Sequence, residues 1–262
     1  MEKGQSRKME QLRKPFQGIW NVTRFNWHFY LLSVLLILII LFFNPGLPFF
    51  YRFFGNIVCY LIAGTTIISL LVSFYVYDVS RLYKLNWLAE LNPEANSRIA
   101  NINAGFDETS ILLKTKFSNA ELFVFDFYDP LLHTEISIKR ARKAYLPFAG
   151  TRQISTSNLP VADNYFDEIF LLLSAHEIRN QEERVTFFNE LRRSLKETGH
   201  IIVTEHLRDI PNFMAYNIGF FHFIRKSSWL KTFDMAGLVI STEKKITPFI
   251  TTFILTKNGD AA

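Results

Sequence analysis

Two stretches of this chain carry no Asp, Glu, Lys or Arg: "WHFYLLSVLLILIILFF" (27–43) and "GNIVCYLIAGTTIISLLVSFYVY" (55–77). A bilayer core takes about 20 apolar residues of helix. The second run is long enough, and Trp27 and Tyr30 extend the first at headgroup level. Between them "NPGLP" (44–48) breaks the helix, because Pro45 and Pro48 lack donors and Gly46 permits a turn. The pair reads as a transmembrane helical hairpin over 27–77. A cleaved signal peptide does not fit, since no small-residue cleavage site follows the first run and a second apolar run does. A buried core hairpin is the bland alternative, and two such runs in succession speak against it.

Charge orients the hairpin. Lys3, Arg7, Lys8, Arg13, Lys14 and Arg24 precede it in a basic segment (1–26), Arg52 stands alone in the connection, and Arg81 and Lys84 follow. Positive residues stay inside, so both termini and the remaining domain are expected on the cytoplasmic face of the membrane. The formal net charge of +5 is concentrated in that basic head. No zinc-finger spacing, basic zipper or aromatic-basic ribonucleoprotein motif accompanies it, so nucleic acid is not an expected partner. The single cysteine, Cys59, forbids an intrachain disulfide.

Residues 78–97 predict a connecting helix, with Leu82, Leu85, Leu88 and Leu91 as its buried stripe and Asn92-Pro93 as its end. From 98 to 258 strand-like and helix-like segments alternate. Strands are expected at 98–103, 120–126, 151–155, 167–173, 199–205, 237–244 and 249–257, and helices at 107–116, 134–145, 180–196 and within 211–234. Alternation of this kind implies an α/β fold, a mostly parallel doubly wound sheet, with the last two runs closing as an antiparallel pair. Ligands in such sheets bind beyond the carboxyl ends of the strands. The polar strand-end segments are Asn103 to Asp107, Asp126 with Tyr128 and Asp129, Ser155 with Asn158, His176 with Glu177 and Arg179, and Glu205 with His206, Arg208 and Asp209.

The stretch "LPVADNYFDEIFLLLSAHEIRNQEERVTFFNELRRSLKETGHIIVTEH" (159–206) and the later "WLKTFDMAGLVI" (229–240) resemble class I S-adenosylmethionine-dependent methyltransferases. The resemblance lies in a Leu-Pro turn, a Phe-Asp strand start, a strand ending near a histidine, a Leu-Lys-x-x-Gly turn and an Ala-Gly-Leu turn. It covers roughly residues 80–257 and implies a Rossmann-like sheet with S-adenosylmethionine as cofactor. The family's first motif, an acid followed by three alternating glycines, falls on Asn101, Asn103, Gly105 and Asp107, so only Gly105 is kept. In this alignment Asn101 replaces the loop-ordering acid and Asn103 tolerates a left-handed backbone. Asp107 caps the next helix. The resemblance places Asp126 on the cofactor's ribose hydroxyls, with Phe127 beside it. Ser155 and Asn158 stand nearest to where the family's adenine-contacting acid is missing.

"SAHEIR" and "TEHLRD" end adjacent strands with a His-Glu and a Glu-His pair, and His133, Glu135 and His222 join the same rim. Each alone is most simply a cap or a loop anchor. Methyl transfer requires in-line positioning and a base where the acceptor carries a proton. His176 and His206 are the expected bases, with Glu205 orienting one of them. Two His and two Glu are also a ligand set for zinc or iron, although their spacing matches no metal motif. The basic helix "SIKRARKAYL" (137–146) suits anionic headgroups, and the aromatic stretch 212–223 suits an apolar substrate cover. The sequence therefore predicts a membrane-anchored methyltransferase whose partners are the bilayer and a hydrophobic or lipid-like acceptor, with no metal. A catalytically inactive scaffold and a metal-dependent enzyme on the same fold are the alternatives.

Overall fold

The computed structural model describes residues 13–89, 91 and 95–259. Three helices lead: α1 (Gln17–Phe25), α2 (Trp27–Phe43) and α3 (Phe49–Phe74). The α2 range is the first uncharged run itself, while α3 begins earlier than the second run and takes in Arg52. Asn44 at the hairpin tip is buried, and its Nδ2 donates to Asn56 Oδ1 at 2.6 Å and to Arg52 O at 3.3 Å, while its own Oδ1 has no partner. Two segments are long and apolar enough to cross a membrane, Trp27–Gly46 and Phe49–Leu88. Only 6% and 11% of their most apolar windows are buried.

The connecting stretch is not the single helix expected. A π-helical turn (Tyr75–Val79) ends α3, and two 3-10 turns follow at Leu82–Lys84 and Asn86–Leu88, separated by Leu85 at φ 54°. Leu82, Leu85, Leu88 and Leu91 are all buried. Their spacing of three suits 3-10 geometry, in which side chains at i and i+3 eclipse, better than it suits an α-helix. Asn92-Pro93 lies outside the described residues, as do Lys3, Arg7 and Lys8 of the basic head.

The rest is a seven-stranded sheet: β1 (Arg98–Asn103), β2 (Glu121–Asp126), β3 (Arg152–Gln153), β4 (Phe166–Leu172), β5 (Leu195–His206), β6 (Leu238–Thr247) and β7 (Ile250–Lys257). Its order is β3-β2-β1-β4-β5-β7-β6, with β7 antiparallel to both neighbours and the first five strands parallel. Five helices complete the domain: α4 (Ser110–Lys116), α5 (Ile136–Ala144), α6 (Gln181–Ser194), α7 (Ile210–Tyr216) and α8 (Lys226–Met235). The stretch expected as one irregular helix within 211–234 is thus α7, a 3-10 turn (Asn217–His222) and α8.

The continuous apolar text of β4 and β5 is explained by alternation across two covered faces. Ile169, Leu171, Ile201 and Val203 pack with Phe187, Phe188, Trp229 and Phe233 of α6 and α8. Phe170 and Ile202 point the other way, onto Leu112, Leu113 and Phe117 of the α4 segment and the leucines of the connecting turns. Strand order reverses between β1 and β4, which opens a crevice at their carboxyl ends. The segment that follows α3 reaches that same edge, where Val76 and Leu82 pack against Ile250.

Helix α1 was not expected, because its text reads only as part of a basic segment. Its N-cap residue, Phe16, offers no capping side chain. Asp78 caps it from a distance instead, accepting from Gly18 N at 2.8 Å and Ile19 N at 2.7 Å.

Candidate active site

The turn after β1 is built by its own polar side chains. Asp107 Oδ1 accepts from Thr109 N and Ser110 N, both at 2.9 Å, and so caps α4 as the sequence suggests. Asn101, 1% exposed, donates from Nδ2 to Ser110 Oγ (2.7 Å) and Thr109 Oγ1 (2.9 Å). It braces the turn from beneath and does not face the cavity. Asn103 stays in the strand and takes no left-handed conformation. Its Oδ1 accepts from Gly105 N at 2.9 Å, and Gly105 alone carries the positive φ, +88°. The surviving glycine is therefore the one the backbone requires.

Above the turn lies a cavity of about 180 Å³, lined by Asn103, Gly105, Asp107, Asp126, Arg142 and Gln153 among others. Asn103 Nδ2 and Asp107 Oδ2 are buried and have no partner. A neighbouring cavity of about 580 Å³ is lined by Phe127, Tyr128, His133 and Ser155, and Arg142 and Gln153 belong to both walls. Arg142 decides what this crevice can hold. Its guanidinium forms a close ion pair with Asp126 Oδ2, stacks 4.6 Å from the Tyr128 ring centroid, and lies where a Cβ on residue 105 would fall. Asp126 Oδ1 accepts from Tyr128 N at 2.8 Å. Both oxygens of the expected ribose ligand are thus engaged. Ser155 lines the second cavity, whereas Asn158 pairs back onto Ser155 in an isolated bridge and lines neither cavity.

At the ends of β4 and β5 the four histidines of the rim separate. His176 and His222 meet, ring centroids 4.9 Å apart. Glu205, fully buried, accepts from His176 N (3.1 Å) and bonds its Nδ1 (2.6 Å), so Glu205 orients His176 and not His206. His176 Nε2 lies 3.2 Å from Glu177 Oε1. Burial alone would lower the pKa of His176, but the Glu205 charge and the bonds to Glu177 and Glu205 raise it to about 10. Burial would raise Glu177, yet its bonds to His176 and His222 hold it well below the usual carboxylate range. At neutral pH His176 therefore keeps its proton between two carboxylates, which differs from the open base expected from sequence.

His206 is filled on both nitrogens, Nδ1 on Asn212 Oδ1 at 2.9 Å and Nε2 on the Tyr77 hydroxyl at 2.8 Å. The Phe223 ring stacks on it at 4.7 Å. It ties the end of the anchor to α7. His133 lies apart, its Nδ1 accepting from Asp129 N at 2.9 Å. The basic run of α5 divides similarly: Arg142 takes Asp126, Arg140 reaches His28 Nδ1 at 2.7 Å, and Lys139 and Lys143 are exposed.

Sequence reasoning missed Glu108. It accepts from Gln17 Nε2 (3.2 Å), Asn21 Nδ2 (3.0 Å) and Tyr83 Oη (3.0 Å), and pairs with Arg13 at 3.4 Å. Helix α1 is thereby strapped onto the turn, with Phe25 edge-on to Phe106 at 5.6 Å. An acid directly after the turn was visible, but its hydrogen-bonding partners lie 25 to 91 residues away, and Arg13 lies farther still.

Residues 104–203 match the family described as methyltransferase domain. That stretch runs from the turn after β1 into β5. Its fold resembles a SAM-dependent methyltransferase from Aquifex aeolicus, at 15% identity and TM-score 0.50, over 73% of this chain and 97% of that one. It also resembles the PH0226 protein from Pyrococcus horikoshii OT3, at 15% identity and TM-score 0.50, over 68% and 89%. No curated protein matches the chain in sequence. S-adenosylmethionine is the cofactor to which the methyltransferase domain points. The crevice fits it in its unpartnered Asn103 and Asp107 atoms, while Arg142 covers the backbone of Gly105. The smaller cavity alone is below the roughly 300–1,000 Å³ usual for small-molecule sites. Movement of Arg142 away from Asp126 would join the two.

Proposed function

We propose that this chain is a membrane-anchored methyltransferase that moves the methyl group of S-adenosylmethionine onto a hydrophobic or lipid-like acceptor. One observation carries the reading: an apolar hairpin with almost no buried surface runs straight into the carboxyl edge of a methyltransferase sheet. Helix α7 packs against α3, and Ile210, Phe213, Met214, Ile218 and Phe221 of α7 and the following turn are exposed. An apolar cover beside a membrane helix lets a bilayer-dissolved acceptor enter sideways, and the anchor raises its effective concentration. The predominance of Lys and Arg on the flanks supports a cytoplasmic position for the domain.

When bound, the cofactor supplies an electrophilic methyl on a sulfonium. The chain's own part is to hold it and to position the acceptor. Asp126 would accept from the ribose hydroxyls once Arg142 leaves, Asn103 and Asp107 would meet its polar end, and Phe127 and Ser155 line the space beyond. His176, fixed by Glu205, faces the acceptor side, and His206 holds α7 in place. A second reading, a non-catalytic module, is favoured by the Arg142–Asp126 pair, which closes the ribose position in this conformation.

The full chain in lipid nanodiscs, given methyl-labelled S-adenosylmethionine and a total lipid extract, is expected to place label in the organic phase, and Asp126→Ala to abolish it. Label confined to water-soluble products would contradict the lipid-like acceptor, and no transfer at all would favour the non-catalytic module.

A further inference from the structure

The geometry points to a binding site for a divalent transition-metal ion, of the zinc or ferrous class, formed by His176 Nε2, Glu177 Oε1 and His222 Nε2. The three donor atoms lie within 4.8 Å of one another. Both imidazoles aim at the same carboxylate oxygen, His176 Nε2 from 3.2 Å and His222 Nε2 from 3.4 Å. Neighbouring donors on a tetrahedron of 2.0–2.1 Å bonds stand about 3.3 Å apart, so these separations match the edges of a coordination polyhedron. Two imidazoles and one carboxylate leave a fourth position open, the arrangement of ions that act on a bound ligand.

The outer groups fit the same assignment. A ligating histidine hands its other ring proton to a carboxylate or carbonyl, which fixes the ring and strengthens the donor. His176 Nδ1 does this to the fully buried Glu205 at 2.6 Å, and His222 Nδ1 has Glu135 Oε2 at 3.5 Å. Each imidazole thus has a carboxylate behind it and Glu177 in front. Glu177 and Glu205 are 3% and 0% exposed, so the cluster holds buried negative charge that must be balanced locally. Arg179 contacts His222 Nδ1 in this conformation and would have to release it when an ion occupies Nε2. Its side chain is 45% exposed and already lies 3.8 Å from Glu135, so it has somewhere to go.

The site sits on the short 3-10 turn after β4 (Ala175–Glu177) and on the turn Asn217–His222, which follows α7. It needs no cofactor in the neighbouring crevice and stands or falls independently of methyl transfer.

The test uses the full chain in detergent, stripped with a chelator and titrated with Zn²⁺ against a chromophoric competitor. One saturable equivalent is expected. Glu177→Gln and His222→Ala should each weaken it by about tenfold or more, and Glu205→Gln by about 10–100-fold through the orientation of His176. Arg179→Ala should leave the affinity equal or tighter, which a merely structural role for that contact would not produce. His200→Ala, on the far end of the sheet, should change nothing. His222 is partly exposed, so its variant is expected to fold, and an unchanged melting curve without metal checks this. Co²⁺ should give the ligand-field spectrum of a four-coordinate N/O site in the wild type alone. Binding well below one equivalent, or binding unaltered in both Glu177→Gln and His222→Ala, would overturn the assignment and leave the cluster as imidazoles paired with carboxylates.

Discussion

Arg142 holds the carboxylate proposed to meet the ribose, and its removal should therefore help binding where most crevice substitutions harm it. The side chain is about a third exposed, so the ion pair with Asp126 is only partly shielded from water. Arg142→Ala is expected to tighten S-adenosylmethionine binding by about threefold to tenfold, the scale of one charged hydrogen bond discounted for solvent. Equilibrium dialysis would check the direction. His206 makes a different prediction. Burial lowers its pKa from the usual 6.5 to about 4, with Asn212 opposing and the charges of His176 and His222 adding to the effect. The groups facing it are the Tyr77 hydroxyl, the Asn212 amide and the rings of Tyr216 and Phe223. The unfolded chain takes up this proton first, so stability is intact above pH 6.5 and falls as pH drops toward 4, by up to about 3 kcal/mol. Thermal melts across that range should show the loss, and a His206→Gln variant should show a flatter profile. Residue identities at the strand ends were legible because the fold dictates where polar groups gather. Which of them pair was not: Arg142 is one of four basic residues on one short helix, and nothing in its spacing singles it out for Asp126.

At the scale of elements, α1 is the part whose contribution exceeds its sequence signal. It lacks a capping residue of its own, borrows Asp78, and lies over the cofactor turn through Glu108. A Cβ on Gly18 would fall 2.8 Å from Asp78 Oδ2 and 2.9 Å from Arg13 Nη2 and would also overlap Tyr77. Gly18→Ala should therefore push α1 off the turn, at a cost of about 1–3 kcal/mol. Asp78→Ala should cost about 1–2 kcal/mol by removing the cap. In both variants amide exchange at residues 17–25 is expected to accelerate while the strands β1, β4 and β5 stay protected; unchanged exchange would show that α1 does not depend on these contacts. The strands themselves were readable because β4 and β5 are buried on both faces and so carry unbroken apolar text. The connecting stretch misled because three-residue leucine spacing serves a 3-10 turn as well as a helix, and the left-handed Leu85 that separates the two turns has no sequence mark. The two apolar helices of the hairpin were legible because their runs carry no charge and are broken by Pro45 and Pro48.

For the whole molecule, the account places residue 46 and residue 149 on opposite sides of a bilayer. In a Cys59→Ser background, Gly46→Cys should react with an impermeant thiol reagent from outside intact cells, and Ala149→Cys only after lysis. Labelling of both from one side would refute the hairpin topology. Fold class and the two long apolar helices are properties of long patterned segments, and sequence carried them; the strand order came only with the folded sheet. The closed ribose position and the His-Glu-His cluster depend on contacts between elements far apart in the chain, and only the folded structure brings them together. The claim beneath all of this is that the crevice at the ends of β1 and β2 accepts S-adenosylmethionine. Calorimetric titration of the detergent-solubilised full chain tests it most directly: saturable one-to-one binding, weakened at least about tenfold in Asp126→Ala by loss of charged hydrogen bonds, is the predicted result. No binding heat in the wild type and none in Arg142→Ala would contradict it.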